Sequence, residues 1–304
     1  MYLNNAINQF TGPRQLNVMP RTLNGDIKEL KHLCLFLRNP LVSDIRLEHI
    51  LEYLNLMVDL GGWNHNTFIR KCSTLRKFFE YCRLNKLSGI EEMLIPLPRK
   101  HFNIPRVADE RSLAVLLKQI PNRNHPRSHR DRALVHLAID CGARAGELCS
   151  LNISDIDLNL QKAIIRTEKS RGRRPIREIF WRSQTNEYLH RWIGTLQGLE
   201  KRSEYFSGRD REALFISLYS NNMGQRLSVS GVSQVFSYYS RRAKLPRVNP
   251  HSVRHFFCHD IIKKGGSAAD VMNLAGHATL ASSTPYTAMF DEELKGRYRS
   301  LKGR

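Results

Sequence analysis

The feature that most constrains the fold is a proline-rich basic segment about a third of the way along the chain. Residues 96–106 read PLPRKHFNIPR. Each proline fixes φ and removes a backbone donor, so three prolines in eleven residues exclude a helix and favour an extended connection. This break predicts two domains, at residues 1–95 and 109–304, joined by a linker over residues 96–108. A simple spacer and a basic strap that crosses a phosphate backbone are both compatible with the linker.

Before the linker, apolar residues recur at three- and four-residue intervals, which is the spacing of helices with one buried face. Gly61 and Gly62 end the second of these patterns, and Asp44 is placed to cap its start. The first domain is therefore predicted to be wholly helical. Its expected helices cover residues 23–37, 44–61, 66–84 and, as a short fourth, 90–94.

After the linker, short β-branched runs interrupt the helical periodicity. We expect strands over 153–157, 163–166 and 176–181, with a charged hairpin tip at 168–175. The fold class predicted from these patterns is mainly α with a small antiparallel β-sheet, arranged as two domains. The second domain's expected helices cover residues 110–120, 129–141, 145–151, 184–195, 229–243, 250–264, 268–274 and 292–301.

The charge of the chain is strongly positive, with 48 Lys and Arg against 28 Asp and Glu, a net charge of +20. An excess of this size favours a polyanionic partner, and nucleic acid fits best. A basic protein that binds nothing and a membrane-surface protein are the alternatives, but no long basic amphipathic helix supports the second. No signal peptide or membrane-spanning run is apparent. Six cysteines without a CxxC pair predict buried thiols in a reducing cytoplasm.

Five residues in the second domain have the chemistry needed to attack a phosphodiester: Arg144, Lys169, His251, Arg254 and Tyr286. Cations hold phosphate oxygens, a histidine moves a proton and a phenol supplies the nucleophile. Arg144 follows a glycine at the start of a predicted helix, and His251 and Arg254 lie three apart on one helical face. Thr284 can cap a short helix that begins at Pro285, next to the phenol.

Metal and nucleotide chemistry find less support in the sequence. His251, His255 and His259 are spaced by four residues, but the glutamate of HExxH is missing and no further ligand lies nearby. The GxxxxGK[ST] phosphate loop is absent, so ATP use is not expected. A metal nuclease needs clustered carboxylates, and those of this chain are scattered. We therefore predict no metal and no cofactor.

Four segments resemble the conserved boxes of the tyrosine recombinases, also called the phage integrase family. These are CGARAGEL at 141–148, HSVRH at 251–255, LAGH at 274–277 with Tyr286 nine residues later, and the hairpin that carries Lys169. The resemblance implies a helical, SAM-like core-binding domain at 1–95 and a catalytic domain at 109–304. It extends from about residue 22 to the end of the chain, and it suggests an Xer-like or mobile-element enzyme.

The resemblance also implies a mechanism for site-specific recombination. Tyr286 would attack DNA and form a 3′-phosphotyrosine, and Lys169 would protonate the departing 5′ hydroxyl. Arg144, Arg254 and His277 would hold the phosphate oxygens, while His251 assists proton transfer. Strand exchange would pass through a Holliday junction on double-stranded DNA with an inverted-repeat core site. A tetramer would assemble through the last helix, residues 292–301.

Basic residues on the third helix, the linker and the hairpin tip are the candidates for DNA contact. Two other activities share part of this pattern. A type IB topoisomerase uses the same chemistry to relax supercoils, and a DNA-binding regulator could retain the fold without the reaction. The candidate DNA-binding residues are Arg70, Lys71, Arg76, Lys77, Arg99, Lys100, Arg106, Arg171, Arg173 and Arg174.

Overall fold

The computed structural model describes residues 1–61, 63–99, 107–166, 176–202, 210–219, 222–246 and 248–277, together with residues 296, 298 and 299. The chain forms two compact units, Met1–Asn103 and Ile104–Arg304. Each unit encloses an apolar core of its own. Within the described ranges, no helix combines the length and apolar character needed to cross a membrane.

Unit 1 packs four α-helices around Leu30, Tyr53, Leu75 and Phe78, which are fully buried. The first helix was not predicted, although its Leu3, Ala6, Ile7 and Phe10 face the core at helical spacing, because polar residues and Pro13 weaken the pattern. The helices are α1 (Leu3–Arg14), α2 (Pro20–Phe36), α3 (Leu47–Asp59) and α4 (His65–Leu84).

Two local predictions for unit 1 were wrong. Asp44 does not cap α3, because it lies in a 3-10 turn, Val42–Asp44, and the helix starts at Leu47 after the N-cap residue Arg46. The segment predicted to be a helix at 90–94 forms only a 3-10 turn, Glu92–Leu94. So short a segment gains too few hydrogen bonds to offset the cost of starting an α-helix.

A buried network of charged groups joins α2, α3 and α4 and corrects the interpretation of Lys71. The Lys71 ammonium is paired with Glu29, whose other oxygen accepts the Tyr53 hydroxyl at 3.0 Å. Lys71 also lies 5.2 Å from the ring centre of Trp63. Lys71 is 7 % exposed and its charge is paired with Glu29, so it belongs to the core of unit 1 and not to the exposed basic surface.

Unit 2 is mainly helical with one three-stranded antiparallel sheet in the order β1-β2-β3. In its register Ile165 lies opposite Arg177 and Ala163 opposite Ile179. The predicted fold class is therefore confirmed, whereas the predicted domain boundaries stay a prediction. The elements are α5 (Glu110–Lys118), α6 (Pro126–Cys141), α7 (Ala145–Ser150), β1 (Ile156–Asp157), β2 (Lys162–Arg166), β3 (Ile176–Phe180), α8 (Ser183–Arg202), α9 (Val229–Arg242), α10 (Pro250–Lys263) and α11 (Ala268–Ala275).

Helix α6 lies at the centre of unit 2 and determines where the next residues are placed. Most of its residues are buried, and α8 and α10 pack against it. It ends at Gly142, which has a φ of 59°. A Cβ atom at this position would collide with the ring of Phe257 on α10. Glycine thus lets the chain turn sharply against α10 and leads directly into α7.

Candidate active site

Arg144 is held at the turn between α6 and α7 by a carboxylate one helical turn away. It is the N-cap residue of α7, and its backbone N–H donates to Glu147 Oε2 over 2.8 Å. Its Nη1 donates to Glu147 Oε1, also over 2.8 Å. Glu147 therefore orients both the backbone and the side chain of Arg144.

Arg254 approaches the same turn from α10. Asn249 caps this helix through the N–H groups of His251 and Ser252, and Pro250 occupies the first turn. Arg254 is 3 % exposed, and its Nη1 lies 4.0 Å from Glu147 Oε2. The two arginines of the boxed motifs thus meet around a single carboxylate.

The end of α11 is the point where the distant segments converge. Helix termini leave carbonyl groups without partners inside the helix. Here three consecutive carbonyls accept bonds from three arginines: Leu274 from Arg177 Nη1 at 2.7 Å, Ala275 from Arg254 Nη2 at 2.6 Å, and Gly276 from Arg144 Nη2 at 3.2 Å. We call Leu274–Gly276 the carbonyl turn. It brings the first, second and last boxes together.

Arg177 belongs to this site but was missed by sequence reasoning. It lies on β3, where it shares an inward-facing side of the strand with Ile179, and its Nη2 donates to Glu147 Oε2 at 2.9 Å. The available signal was an arginine at an inward position of a strand with alternating burial. A single residue without a local motif gave no reason to connect it with the distant boxes.

The arginines outnumber the carboxylate in this cluster. Arg144, Arg177 and Arg254 contribute three positive charges, and Glu147 contributes one negative charge. Burial raises the pKa of Glu147, but Arg177, the hydrogen bond from Arg144 and the neighbouring charges lower it more, so it stays ionised. Burial and the charge of Arg144 lower the pKa of Arg254 to about 10, which still leaves it protonated at neutral pH. The excess positive charge suits a bound anion.

Histidines next to this cluster are kept neutral. Burial, and then the charges of Arg254, Arg144 and Arg177, lower the pKa of His277 to about 4. The pKa of the more exposed His251 is lowered by burial and by Arg254 and Arg144. The His255 ring lies 4.2 Å from that of His251, and burial lowers its pKa to about 4 as well. Neutral imidazoles can accept a proton or donate a single N–H.

The structure brings together four of the predicted catalytic residues: Arg144, His251, Arg254 and His277. Lys169 and Tyr286 lie outside the described residues, as do Lys100, Arg106, Arg171, Arg173, Arg174 and most of the predicted helix 292–301.

The DNA-binding candidates that the structure describes have different environments. Arg70, Lys77 and Arg99 are exposed. Arg76 is half-buried and donates to the Ile95 carbonyl at 2.7 Å and to that of Met93 at 2.9 Å, so it also holds the chain that follows α4. Together with the buried Lys71, this leaves the exposed residues as the better candidates in unit 1.

Comparison with known proteins identifies the family of this chain. Residues 107–293 match the model of the phage integrase family. Tyrosine recombinase XerC of Alcanivorax borkumensis is 28 % identical over 299 residues, which cover 97 % of this chain and 92 % of the relative. XerC of Bacillus subtilis is 28 % identical over 243 residues, which cover 79 % and 75 % of the two chains.

Solved structures show the same fold at low sequence identity. The Tn1549 transposon integrase in complex with a circular intermediate DNA has a TM-score of 0.76 at 17 % identity, with 99 % of both chains covered. The XerH site-specific recombinase bound to its difH substrate has a TM-score of 0.67 at 17 % identity, with 99 % of this chain and 96 % of that one covered. From the family match and the convergence of its motifs, the chain belongs to the phage integrase family and is a tyrosine site-specific recombinase, an enzyme that cleaves and rejoins DNA.

Proposed function

We propose that Arg144, Arg254 and His277 hold the scissile phosphate, that His251 assists proton transfer, and that Tyr286 is the nucleophile. The observation that carries the proposal is the meeting of both boxed arginines at the carbonyl turn, with more positive than negative charge around Glu147. Fixed cations at this place stabilise the charge that develops on a pentavalent phosphorus. His277 follows the turn directly, so its ring is held beside the arginines.

The reaction proposed is a transesterification in two reversible steps. The Tyr286 oxygen forms a bond to the phosphorus, and the bond to the 5′ oxygen breaks. Neutral His251 accepts the phenolic proton, while Lys169 gives a proton to the departing 5′ hydroxyl. The resulting 3′-phosphotyrosine keeps the energy of the phosphodiester. A 5′ hydroxyl of a partner duplex can therefore reverse the attack without any nucleotide cofactor.

We further propose that unit 1 is a core-binding domain and that unit 2 carries the catalysis. The exposed Arg70 and Lys77 on α4 and the exposed Arg99 support a DNA-facing role for unit 1. By analogy with the family, four subunits would assemble on an inverted-repeat core site through residues 292–301 and exchange strands through a Holliday junction. A cytoplasmic location follows from the DNA substrate and remains part of this proposal.

A covalent trapping assay tests the assignment of the nucleophile. The protein is mixed with a DNA duplex that carries a nick close to the cleavage site. After cleavage the short strand with the free 5′ hydroxyl dissociates, so the covalent adduct accumulates. Tyr286→Phe is expected to bind the duplex like the wild type and to form no adduct, because the phenylalanine ring has no oxygen. Tyr219→Phe is the matched control, since Tyr219 is an exposed tyrosine of unit 2 outside the proposed catalytic and assembly segments. An intact adduct in Tyr286→Phe rejects the assignment.

The same assay separates the recombinase from its alternatives. Junctions formed between two duplexes identify strand exchange, whereas relaxation of supercoils without junctions is the result expected of a type IB topoisomerase. DNA binding without adduct formation in the wild type is expected only of a silent regulator. The curated relatives that match most of this chain are recombinases, which favours strand exchange.

A further inference from the structure

Arg177 is a member of the site that lies on β3, outside the CGARAGEL, HSVRH and LAGH motifs. Its guanidinium bridges two groups from different segments: Nη1 donates to the Leu274 carbonyl at 2.7 Å, and Nη2 donates to Glu147 Oε2 at 2.9 Å. The side chain is 9 % exposed. It packs so closely on the carbonyl turn that a Cβ atom at Gly276 would collide with its Nε.

Arg177 shares one carboxylate oxygen of Glu147 with the backbone of Arg144. Glu147 Oε2 accepts both Arg177 Nη2 at 2.9 Å and the backbone N–H of Arg144 at 2.8 Å. Arg254 Nη1 donates to the Gly142 carbonyl at 2.8 Å and stays 4.0 Å from the carboxylate. An ion pair at closer range would weaken the attraction of Arg254 for any other anion.

We propose that Arg177 is a positioning residue for DNA cleavage, which holds Glu147 away from Arg254 and fixes the carbonyl turn, so that the positive charges of Arg144 and Arg254 remain available to the phosphate. This proposal rests on the roles assigned to Arg144 and Arg254 above. Both terminal nitrogens of Arg177 donate to protein acceptors, so its role here is to hold Glu147 and the carbonyl turn. Its planar fork, with two nitrogens that donate to separate acceptors, is suited to this bridge, whereas lysine offers only one nitrogen.

Loss of this bridge has two consequences. The positive charge of the cluster falls by one, and Glu147 is freed to approach Arg254. Both changes weaken phosphate stabilisation in the transition state more than they weaken DNA binding, which depends on many contacts over the surface. The charge of Arg177 also contributes to the low pKa of His277, so its removal is expected to raise that pKa.

The experiment compares Arg177→Met, Arg177→Lys and wild type for DNA affinity and for the rate of covalent adduct formation, corrected for the fraction of folded protein. Arg177→Met is expected to lower the rate about 10- to 100-fold, by analogy with the loss of one fixed donor, while affinity changes less than about threefold. Arg177→Lys keeps the charge and is expected to retain an intermediate rate. Glu178→Gln is the matched control, because Glu178 is the next residue of β3 and forms an exposed pair with Lys162.

A double-mutant cycle distinguishes positioning through Glu147 from general damage. If Arg177 acts through this carboxylate, the fold-loss caused by Arg177→Met is much smaller in a Glu147→Gln background. A second readout is the pKa of His277 by NMR, which is expected to rise in Arg177→Met and to stay unchanged in Glu178→Gln.

The proposal is overturned if the Arg177 variants form the adduct at the wild-type rate per folded molecule. It is also overturned if Arg177→Met causes the same fold-loss in rate in the Glu147→Gln background as in the wild type. If Arg177→Met does not fold, Arg177→Lys decides alone, and a normal rate in that variant overturns the proposal. Failure of the wild type to form an adduct instead rejects the proposed function, so the two failures are distinguishable.

Discussion

The two units bury charged side chains in opposite ways. In unit 1 the carboxylates of Asp26 and Glu29 face the cations of Arg14 and Lys71, so the charges balance. Thr74 and Tyr53 donate to the remaining carboxylate oxygens at 2.7 and 3.0 Å.

In unit 2 the charges around Glu147 are unequal, and the extra arginine donors bind the carbonyl turn. Backbone carbonyls satisfy hydrogen bonds without cancelling a full charge. The comparison indicates that the balanced cluster of unit 1 stabilises a core, whereas the unbalanced cluster of unit 2 retains attraction for an anion.

Breaking the balanced cluster is expected to have the largest effect on stability. Lys71→Met leaves Glu29 buried without its cation, and the loss of one partner from a buried pair costs about 3–5 kcal/mol. Hydrogen exchange followed residue by residue in unit 1 measures this loss. Lys77→Met is the control, because Lys77 is exposed on the same helix, and its effect should stay within about 0.5 kcal/mol. Equal stability of the two variants would contradict a stabilising role for the Lys71–Glu29 pair.

A bound anion is expected to stabilise unit 2 by less than the loss of Lys71 destabilises unit 1. An anion that binds only the folded state stabilises it by about 2.7 kcal/mol when its concentration is 100 times its Kd. Sulfate is therefore expected to slow hydrogen exchange in unit 2 of the wild type, and this gain should shrink in Arg144→Ala. Lys71→Met should keep the gain, since unit 1 has no excess charge in its cluster. Equal gains in the wild type and Arg144→Ala would show general salting-out in place of a specific site.

The smallest expected effect is a shift in the pH at which the cleavage rate falls to half. Neutral His251 is the proposed proton acceptor, so the rate is retained above its pKa and lost as the pH falls through it. Because burial, Arg254 and Arg144 lower this pKa, the midpoint should lie below about 6.5, the usual value for histidine. Added salt screens the arginines and should move the midpoint upward by less than about one unit. A midpoint above 6.5 would contradict this environment for His251.

The boxed residues could be singled out from the sequence because each lies in a local pattern with its own physical reason. Gly142 before Arg144, Asn249 and Pro250 before His251, and Gly276 before His277 mark turns and helix ends that any reader of the sequence can recognise. Their mutual distances depended on tertiary packing, and only the structure shows that all three segments meet at one helix end.

Lys71 shows where the sequence interpretation went wrong. It lies four and seven residues before Leu75 and Phe78, which places it on the buried face of α4. Glu29 occupies an equivalent inward position on α2 next to Leu30 and Leu33. Helical spacing alone could have paired them. The assignment instead followed the charge of the side chain, which predicts exposure for most lysines but fails where an inward carboxylate is present.

The two glycines with positive φ next to the arginines set a limit on how this gene can vary. Gly142 and Gly276 have φ values of 59° and 68°, and a methyl group would overlap the Phe257 ring at the first and the Arg177 side chain at the second. Gly12, in contrast, faces open space. In a library of random variants selected for recombination, the survivors should carry only glycine at positions 142 and 276, without even alanine. Position 12 should tolerate many residues.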